Sequence, residues 1–304
     1  MDDFVNLHTH TLFSKQDATI KIEELVAKVN EYGQCAIAVT DHSSTAAHYY
    51  LNKACQDTGI KPIFGNEFYT NKSYKKKERD RNHLVCLAMT NEGLININRL
   101  QDVANHNSYY KPIVSHEILN DYSDGIFATS ACSLGIIGQS ILNNDMSIAE
   151  QYANWFANIF NDNFALELQM HPLYPDQHKI NNGLVTLSER TGIPLTVSSD
   201  AHFLNETDGD TRRIIQCIAW HSLYKDNQDS LASNCLGNSQ IILKNAELSG
   251  FDIDITKKAI KYTSKIGSKC NAELCSTERK AMDQVIHGAQ EAEPDRLINV
   301  LAKF

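Results

Sequence analysis

Apolar positions along the chain follow two rhythms. Seven short β-rich runs read as strands: residues 4–8 (FVNLH), 35–40 (CAIAVT), 62–65 (PIFG), 83–89 (HLVCLAM), 125–129 (GIFAT), 164–169 (FALELQ) and 194–198 (PLTVS). Between the first two, IKIEELVAKVNEYG repeats its apolar residues at helical spacing and ends at Gly33, a natural C-cap. Residues 148–160 and 180–191 share that period, the second closing at Gly192. Strands alternating with helices predict a parallel sheet with helical crossovers. Seven strands fit a closed (β/α)7 barrel better than an open sheet, so the predicted class is α/β. From about Glu206 the strand signal fades. TRRIIQCIAW and ITKKAIKYTSKIGSKC predict helices, and the polar stretch 278–304 reads as helical too. The expected organisation is a barrel domain over 1–205 and a helical C-terminal extension over 206–304, packed on the barrel or continuing it.

Composition narrows the class. At 304 residues and 42% hydrophobic, the chain is long enough for one large α/β domain, or one with a smaller appendage. A formal net charge of -9 does not suggest a nucleic-acid binder, so a polyanionic substrate would need a local basic patch or metal ions. The opening MDDFVNLHTH has neither the basic nor the apolar region of a signal peptide, and no run approaches the ~18 apolar residues of a membrane span. Eight scattered cysteines without a CxxC pair read as reduced thiols, which predicts a cytoplasmic protein.

Metal-ligating residue types collect at the predicted strand ends. VNLHTHTLFSKQD sets His8 and His10 two residues apart, the spacing that aims both to one side of a strand, with Asp17 seven residues on. Behind later strands stand Asp41 and His42 (TDH), Glu67 (GNE), Cys132 (SAC), and Asp200 and His202 (SSDAH). His83 opens its strand instead of closing it. The C-terminal strand ends form the functional face of α/β barrels. Imidazole, carboxylate and thiolate are ligands of zinc, manganese and iron. Burying this many polar groups unpaired would cost ~1–3 kcal/mol each, which points to a multi-metal site. His48, His106, His116, His178, His221 and His287 read as structural or solvent-facing, as does His171, the one set just behind a strand.

These motifs resemble the polymerase-and-histidinol-phosphatase (PHP) domain, in the form found at the N-terminus of the bacterial DNA polymerase III alpha subunit. The resemblance is carried by NLHTHTLFSKQDATIKIEELV, AVTDH, GIKPIFGNEFY, HLVCLAMTNEGLININRL, YYKPIVS, SACSLG and SSDAHFLN, and runs from about residue 3 to about 276. It implies a distorted (β/α)7 barrel with up to three divalent ions, Mn²⁺ or Zn²⁺ with Fe as a further option. Their ligands would be His8, His10, Asp17, His42, Glu67, His83, Cys132, Asp200 and His202. By the resemblance Glu67 bridges two ions. His8, His10 and Asp200 complete one, His83 and Cys132 the second, and Asp17, His42 and His202 hold the third. A hydroxide held through Glu67, Asp200 and His83 would attack the phosphoester, and Cys132 would be a ligand, not a nucleophile. Two departures stand out. Only a short tail stands after about residue 276, too little for a polymerase, so a stand-alone domain is expected, and the YYKPR-like element reads YYKPI, without its arginine.

A basic stretch, NKSYKKKERDRNH, lies between Glu67 and His83. Lys75, Lys76, Lys77, Arg79 and Arg81, with Lys111, Arg212 and Arg213, are candidate phosphate contacts. Tyr74, Tyr109 and Tyr110 are candidate base-stacking residues. The expected activity is a metal-dependent phosphodiesterase, a stand-alone 3′–5′ exonuclease on single-stranded DNA or 3′ ends, serving proofreading or end trimming beside a separately encoded DNA polymerase in a bacterium or a phage-infected one. The alternatives are a phosphatase on a nucleotide or other small monoester, and a non-catalytic module that docks on a polymerase.

Overall fold

The computed structural model describes residues 2, 4–72, 81–108, 110–224 and 234–274. In chain order the elements are α1 (Ile22–Glu31), β1 (Ala36–Val39), α2 (His48–Cys55), β2 (Lys61–Asn71), β3 (Asn82–Ala88), α3 (Asn91–His106), β4 (Val114–Ser115), α4 (His116–Leu119), β5 (Ile126–Thr129), α5 (Ile136–Leu142), α6 (Met146–Ile159), β6 (Phe164–Gln169), α7 (Pro175–Thr191), β7 (Leu195–Ser198), α8 (Gly209–Trp220), α9 (Ser239–Leu248) and α10 (Ile253–Lys269). Residues 1–272 form one compact unit. Within the described residues the predicted helices fall where their caps place them, and the stretch 278–304, also read as helical, lies outside those residues. Leu25, Val26 and Val29 bury one stripe of α1, and Gly33 beyond its end takes a φ of 70°. Gly192, at φ 74°, caps α7.

The strands bond in the order β1-β2-β3-β5-β6-β7, with β4 beside β2. The sheet is mixed, not wholly parallel. β3 runs antiparallel to β2 and to β5, while β1–β2, β5–β6 and β6–β7 are parallel. This resolves the position of His83. Because β3 is reversed, its first residues lie at the same end as the C-terminal ends of its neighbours, and His83 faces Tyr69 across the β2–β3 ladder.

Residues 4–8 form no strand. The segment that contains them bridges the two ends of the sheet through single contacts: Asn6 pairs with Ile37 of β1, and Thr9 pairs with Ala201 just past β7. The amides of Ala38 and Thr40 donate to the carbonyls of Asn6 and Thr9, and that of His10 donates to Ala201. The segment crosses from one edge strand to the other, so neither ladder can lengthen. The curled sheet is thereby closed on itself at residues 6–10.

Period-two alternation then stacks the interior. On β2 the inward positions are Ile63, Gly65 and Glu67; on β3 they are Leu87, Val85 and His83; on β6 they are Ala165, Glu167 and Gln169. Ile63, Val85, Leu87 and Ala165 belong to a buried apolar cluster with Val5, Leu7 and Phe127. One end of the barrel is therefore apolar and the other carries donors. Described residues from 234 to 270 join the same core. Ile266 and Cys270 of the α10 segment are in that cluster, and Thr263 bonds the β7 backbone at Val197.

Candidate metal centre

Glu67 is the hub. Its Oε1 lies 3.3 Å from His8 Nε2 and 2.9 Å from His83 Nδ1, and its Oε2 lies 3.4 Å from His10 Nε2 and 2.7 Å from His42 Nδ1. One carboxylate thus faces four imidazoles at 1% exposure. Asp200 closes the far side, its Oδ1 at 3.2 Å from His8 Nε2 and 3.4 Å from His10 Nε2. It does so from a left-handed backbone, φ 45°, a conformation aspartate tolerates better than most residues. Cys132 Sγ stands 3.4 Å from His83 Nδ1 and 3.9 Å from Glu67 Oε1.

Asp17 faces His42 and His202. Its Oδ2 is 3.1 Å from His42 Nε2 and 3.3 Å from His202 Nε2. Its other oxygen is occupied by protein donors: Oδ1 accepts from Arg212 Nη2 at 2.9 Å and from Gln216 Nε2 at 3.0 Å. Only one oxygen of Asp17 is left toward the imidazoles. Arg212 also donates from Nε to the Asp17 carbonyl, so this buried arginine holds a carboxylate of the site.

Partners behind the histidines set which nitrogen faces inward. His8 Nδ1 donates to Glu167 Oε1 at 2.7 Å. His10 Nδ1 donates to Ser14 Oγ at 2.9 Å, and Ser14 donates onward to Asp41 Oδ1 at 2.7 Å. His202 Nδ1 donates to the Asp200 carbonyl at 2.8 Å. In each case Nε2 is the nitrogen turned toward the centre, where it would offer its lone pair to a cation, as metal-ligating histidines require. Asp41, from the TDH motif, also accepts from the amide and hydroxyl of Thr11, so it fixes the turn and makes no approach to the imidazoles other than through Ser14.

The charges compete for protons. Burial works against protonation of His8, yet the Asp200, Glu167 and Glu67 carboxylates together raise its pKa. Glu67 and Asp17 likewise overcome burial to lift His42 to about 10. His10, buried among His202 and His42, is pushed down. Against burial, the surrounding imidazoles hold Glu67 and Asp200 well below the usual carboxylate range. Burial and the Glu67 and Asp200 charges push the Cys132 thiol up. Protons on imidazole are here the counter-charge to buried carboxylates. Divalent cations would supply that charge and displace the protons.

The donor set fits metal ions on a further observation. His42 Nδ1, Glu67 Oε2 and Asp200 Oδ1 are buried polar atoms with no hydrogen-bond partner of acceptable geometry, although the first two are 2.7 Å apart. Atoms that converge without hydrogen-bonding are what ligands of a shared cation do. Three triads have donor atoms mutually within 4.8 Å: His10, His42 and His202; His8, His10 and Asp200; His42, Glu67 and His83.

All nine residues proposed from sequence come together at this end of the barrel, and Glu167 and Gln216 join them. Glu167 left a signal, a lone acidic residue inside the apolar run FALELQ. Gln216 left none. A cavity of about 270 Å³ opens onto the centre, lined also by Gln169, His171, Tyr174 and Gln177. His171, read from sequence as structural, therefore lines the site. His48 donates to the Gly65 carbonyl and His116 packs on Trp155, both structural. Among the candidate substrate contacts, Arg81 and Lys111 line a second, outer cavity. Arg213 donates to the Tyr224 carbonyl and stacks 3.8 Å over the Tyr224 ring, outside both linings. Tyr110 is exposed and lines neither cavity. Tyr74, Lys75, Lys76, Lys77, Arg79, Tyr109 and His287 lie outside the described residues.

Comparison with known proteins gives the class. Residues 6–171, more than half of the chain, match the PHP domain. The chain belongs to the PHP domain family. Its relatives include the DNA polymerase III subunit alpha of Aquifex aeolicus, 34% identical over 228 residues, which cover 71% of this chain and 20% of that protein. The same subunit of Borreliella burgdorferi is 32% identical over 276 residues, 88% of this chain and 24% of that one. The chain thus spans about a fifth to a quarter of the length of the curated relatives it matches. Among solved structures, an amidohydrolase from Chromobacterium violaceum aligns with a TM-score of 0.42 at 14% identity, covering 65% of this chain and 87% of that one. No helix among the described residues is long and apolar enough to cross a membrane.

Proposed function

We propose that this chain is a metal-dependent phosphodiesterase that removes nucleotides from the 3′ ends of DNA. The observation that carries the reading is Glu67, a single buried carboxylate shared by His8, His10, His42 and His83. Kinship to DNA polymerase III alpha subunits supports DNA as the substrate class.

His8, His10 and Asp200, then His83 and Cys132, then Asp17, His42 and His202, would hold up to three ions around Glu67. The imidazole and thiolate donors suit Zn²⁺ and the carboxylates suit Mn²⁺. Bound ions would supply Lewis acidity toward phosphate oxygens and lower the pKa of water. The chain itself does the positioning. Glu167 and Ser14 hold His8 and His10 with Nε2 inward, and Arg212 and Gln216 hold Asp17 by one oxygen. Burial of Glu67, His8 and His10 strengthens the charge interactions among them. Action beside DNA polymerase activity in a bacterial cytoplasm is the proposed setting.

A phosphatase acting on a small monoester is the second reading, favoured by the inner cavity of about 270 Å³. The test is an assay of Mn²⁺-loaded protein on 3′-labelled and 5′-labelled single-stranded DNA, with phosphate release from nucleotides in parallel. Stepwise loss from the 3′ end, abolished by His10→Ala, is expected. Phosphate release from nucleotides with DNA left intact would replace this reading with the second.

A further inference from the structure

On α8, Arg212, Gln216 and Trp220 are four residues apart and share one face. The first two reach Asp17, and the third closes the row at the end of the helix, where His221 turns left-handed at φ 51°. Trp220 is 57% exposed, and Leu134, two residues past Cys132, is 50% exposed. Both line the inner metal cavity, and both line the outer cavity of about 760 Å³. The two cavities share Asp17, His42 and His83 as well, so they form one continuous path away from the metal centre.

The outer part of that path is basic. Lys15, Arg81 and Lys111 line it, against one acidic residue, Asp17. In a chain of net charge -9 this is a local reversal. An aromatic ring and a row of cations beside one groove are the two elements of single-strand recognition: a platform for a base and a track for phosphates.

We propose that Trp220 is the stacking platform for a base of single-stranded DNA next to the scissile end, with the phosphate backbone running along Lys15, Arg81 and Lys111. The inference rests on the nuclease reading and adds the strandedness of the substrate and the residue that reads it. Trp220 acts by stacking, so the platform tolerates any base sequence.

The two tryptophans of the chain make the test direct. Trp155 packs against His116 and Phe156, away from both cavities, so Trp155→Phe leaves Trp220 as the sole tryptophan, whose emission is read with excitation selective for indole over tyrosine. Metal-loaded W155F would be titrated with a short oligothymidylate carrying a hydrolysis-resistant phosphorothioate 3′ linkage, and with its abasic counterpart. Quenching by the first and not by the second is expected. Separately, the ratio of kcat/KM for unmodified oligothymidylate to that for bis(p-nitrophenyl) phosphate should fall about tenfold in Trp220→Ala and recover in Trp220→Phe. Equal quenching by the abasic strand, or an unchanged ratio in W220A, would overturn the platform while leaving the nuclease reading intact. Hydrolysis of the small diester with no oligonucleotide cleavage would overturn the nuclease reading and the platform with it. If W220A does not fold, the fluorescence comparison decides alone.

Discussion

Glu167 accepts the Nδ1 proton of His8 across 2.7 Å, with both side chains buried inside the barrel. The same carboxylate accepts from Ser198 at 2.5 Å, from Gln169 at 3.1 Å and from Thr129, so it is fully satisfied and immobile. Its place is behind the ligand, not in the ligand set. Glu167→Gln should keep the fold and weaken metal binding about 10–100-fold, because the imidazole loses its orienting charge. Metal titration by calorimetry checks this, with circular dichroism as the control for folding. An unchanged affinity would show that His8 is held by other means.

Metal removal should loosen the barrel. Glu67 and Asp200 are buried carboxylates at one end of it, countered in the absence of a cation by the surrounding imidazoles. Ions bound to the native state at about a thousand times their Kd contribute about 4 kcal/mol. For a chain of this size the Tm should fall by about 10 °C on chelation. His10→Ala, which removes a ligand shared by two of the triads, should show a much smaller difference between metal-loaded and chelated samples.

Gly93 has no room for a side chain. A Cβ there would strike the Gly125 carbonyl group, and Gly125 itself holds a φ of 72° against Thr90 and Gly93. The contact joins the N-terminus of α3, where Thr90 accepts from the Gly93 amide, to the approach to β5. Gly93→Ala should cost about 1–3 kcal/mol through overpacking, read as a lower urea midpoint with the m-value kept.

Acid sensitivity should arise partly outside the metal centre. Burial pushes His48 from its ordinary 6.5 down to about 4. The unfolded chain therefore takes up a proton near pH 6.5, whereas the folded chain resists until about pH 4. Stability from this group is complete above the higher value and is lost as pH falls toward the lower one, by about 3 kcal/mol in total. Burial places His116 at about 4 as well, with the same sign. In chelated protein, His48→Gln should lose less stability than the parent between pH 7 and pH 4.5, measured by urea unfolding. Equal losses would assign the acid sensitivity elsewhere.

The donor residue types and their strand-linked spacing were determined by the sequence alone. HTH, TDH, GNE, SAC and SSDAH are local patterns, and local patterns survive without knowledge of pairing. The helices α1, α6, α7, α8 and α10 were legible for the same reason, since amphipathic period and capping glycines act within a few residues. Strand direction is different. Whether β3 runs with or against β2 depends on hydrogen bonds between residues such as Tyr69 and His83, and only the antiparallel choice brings His83 to Glu67. The first segment could not be read correctly either. FVNLH has the composition of a strand, but its place between two sheet edges gives it single bridges. Glu167, Gln216, His171 and Trp220 reach the site from β6, the residues after it, and α8. Nothing in their own neighbourhoods distinguishes them from ordinary helix or strand residues, apart from the misplaced charge at Glu167. Tertiary packing assigned them, because a site closed by a barrel draws on side chains that share an end of the sheet, however far apart they lie in the chain.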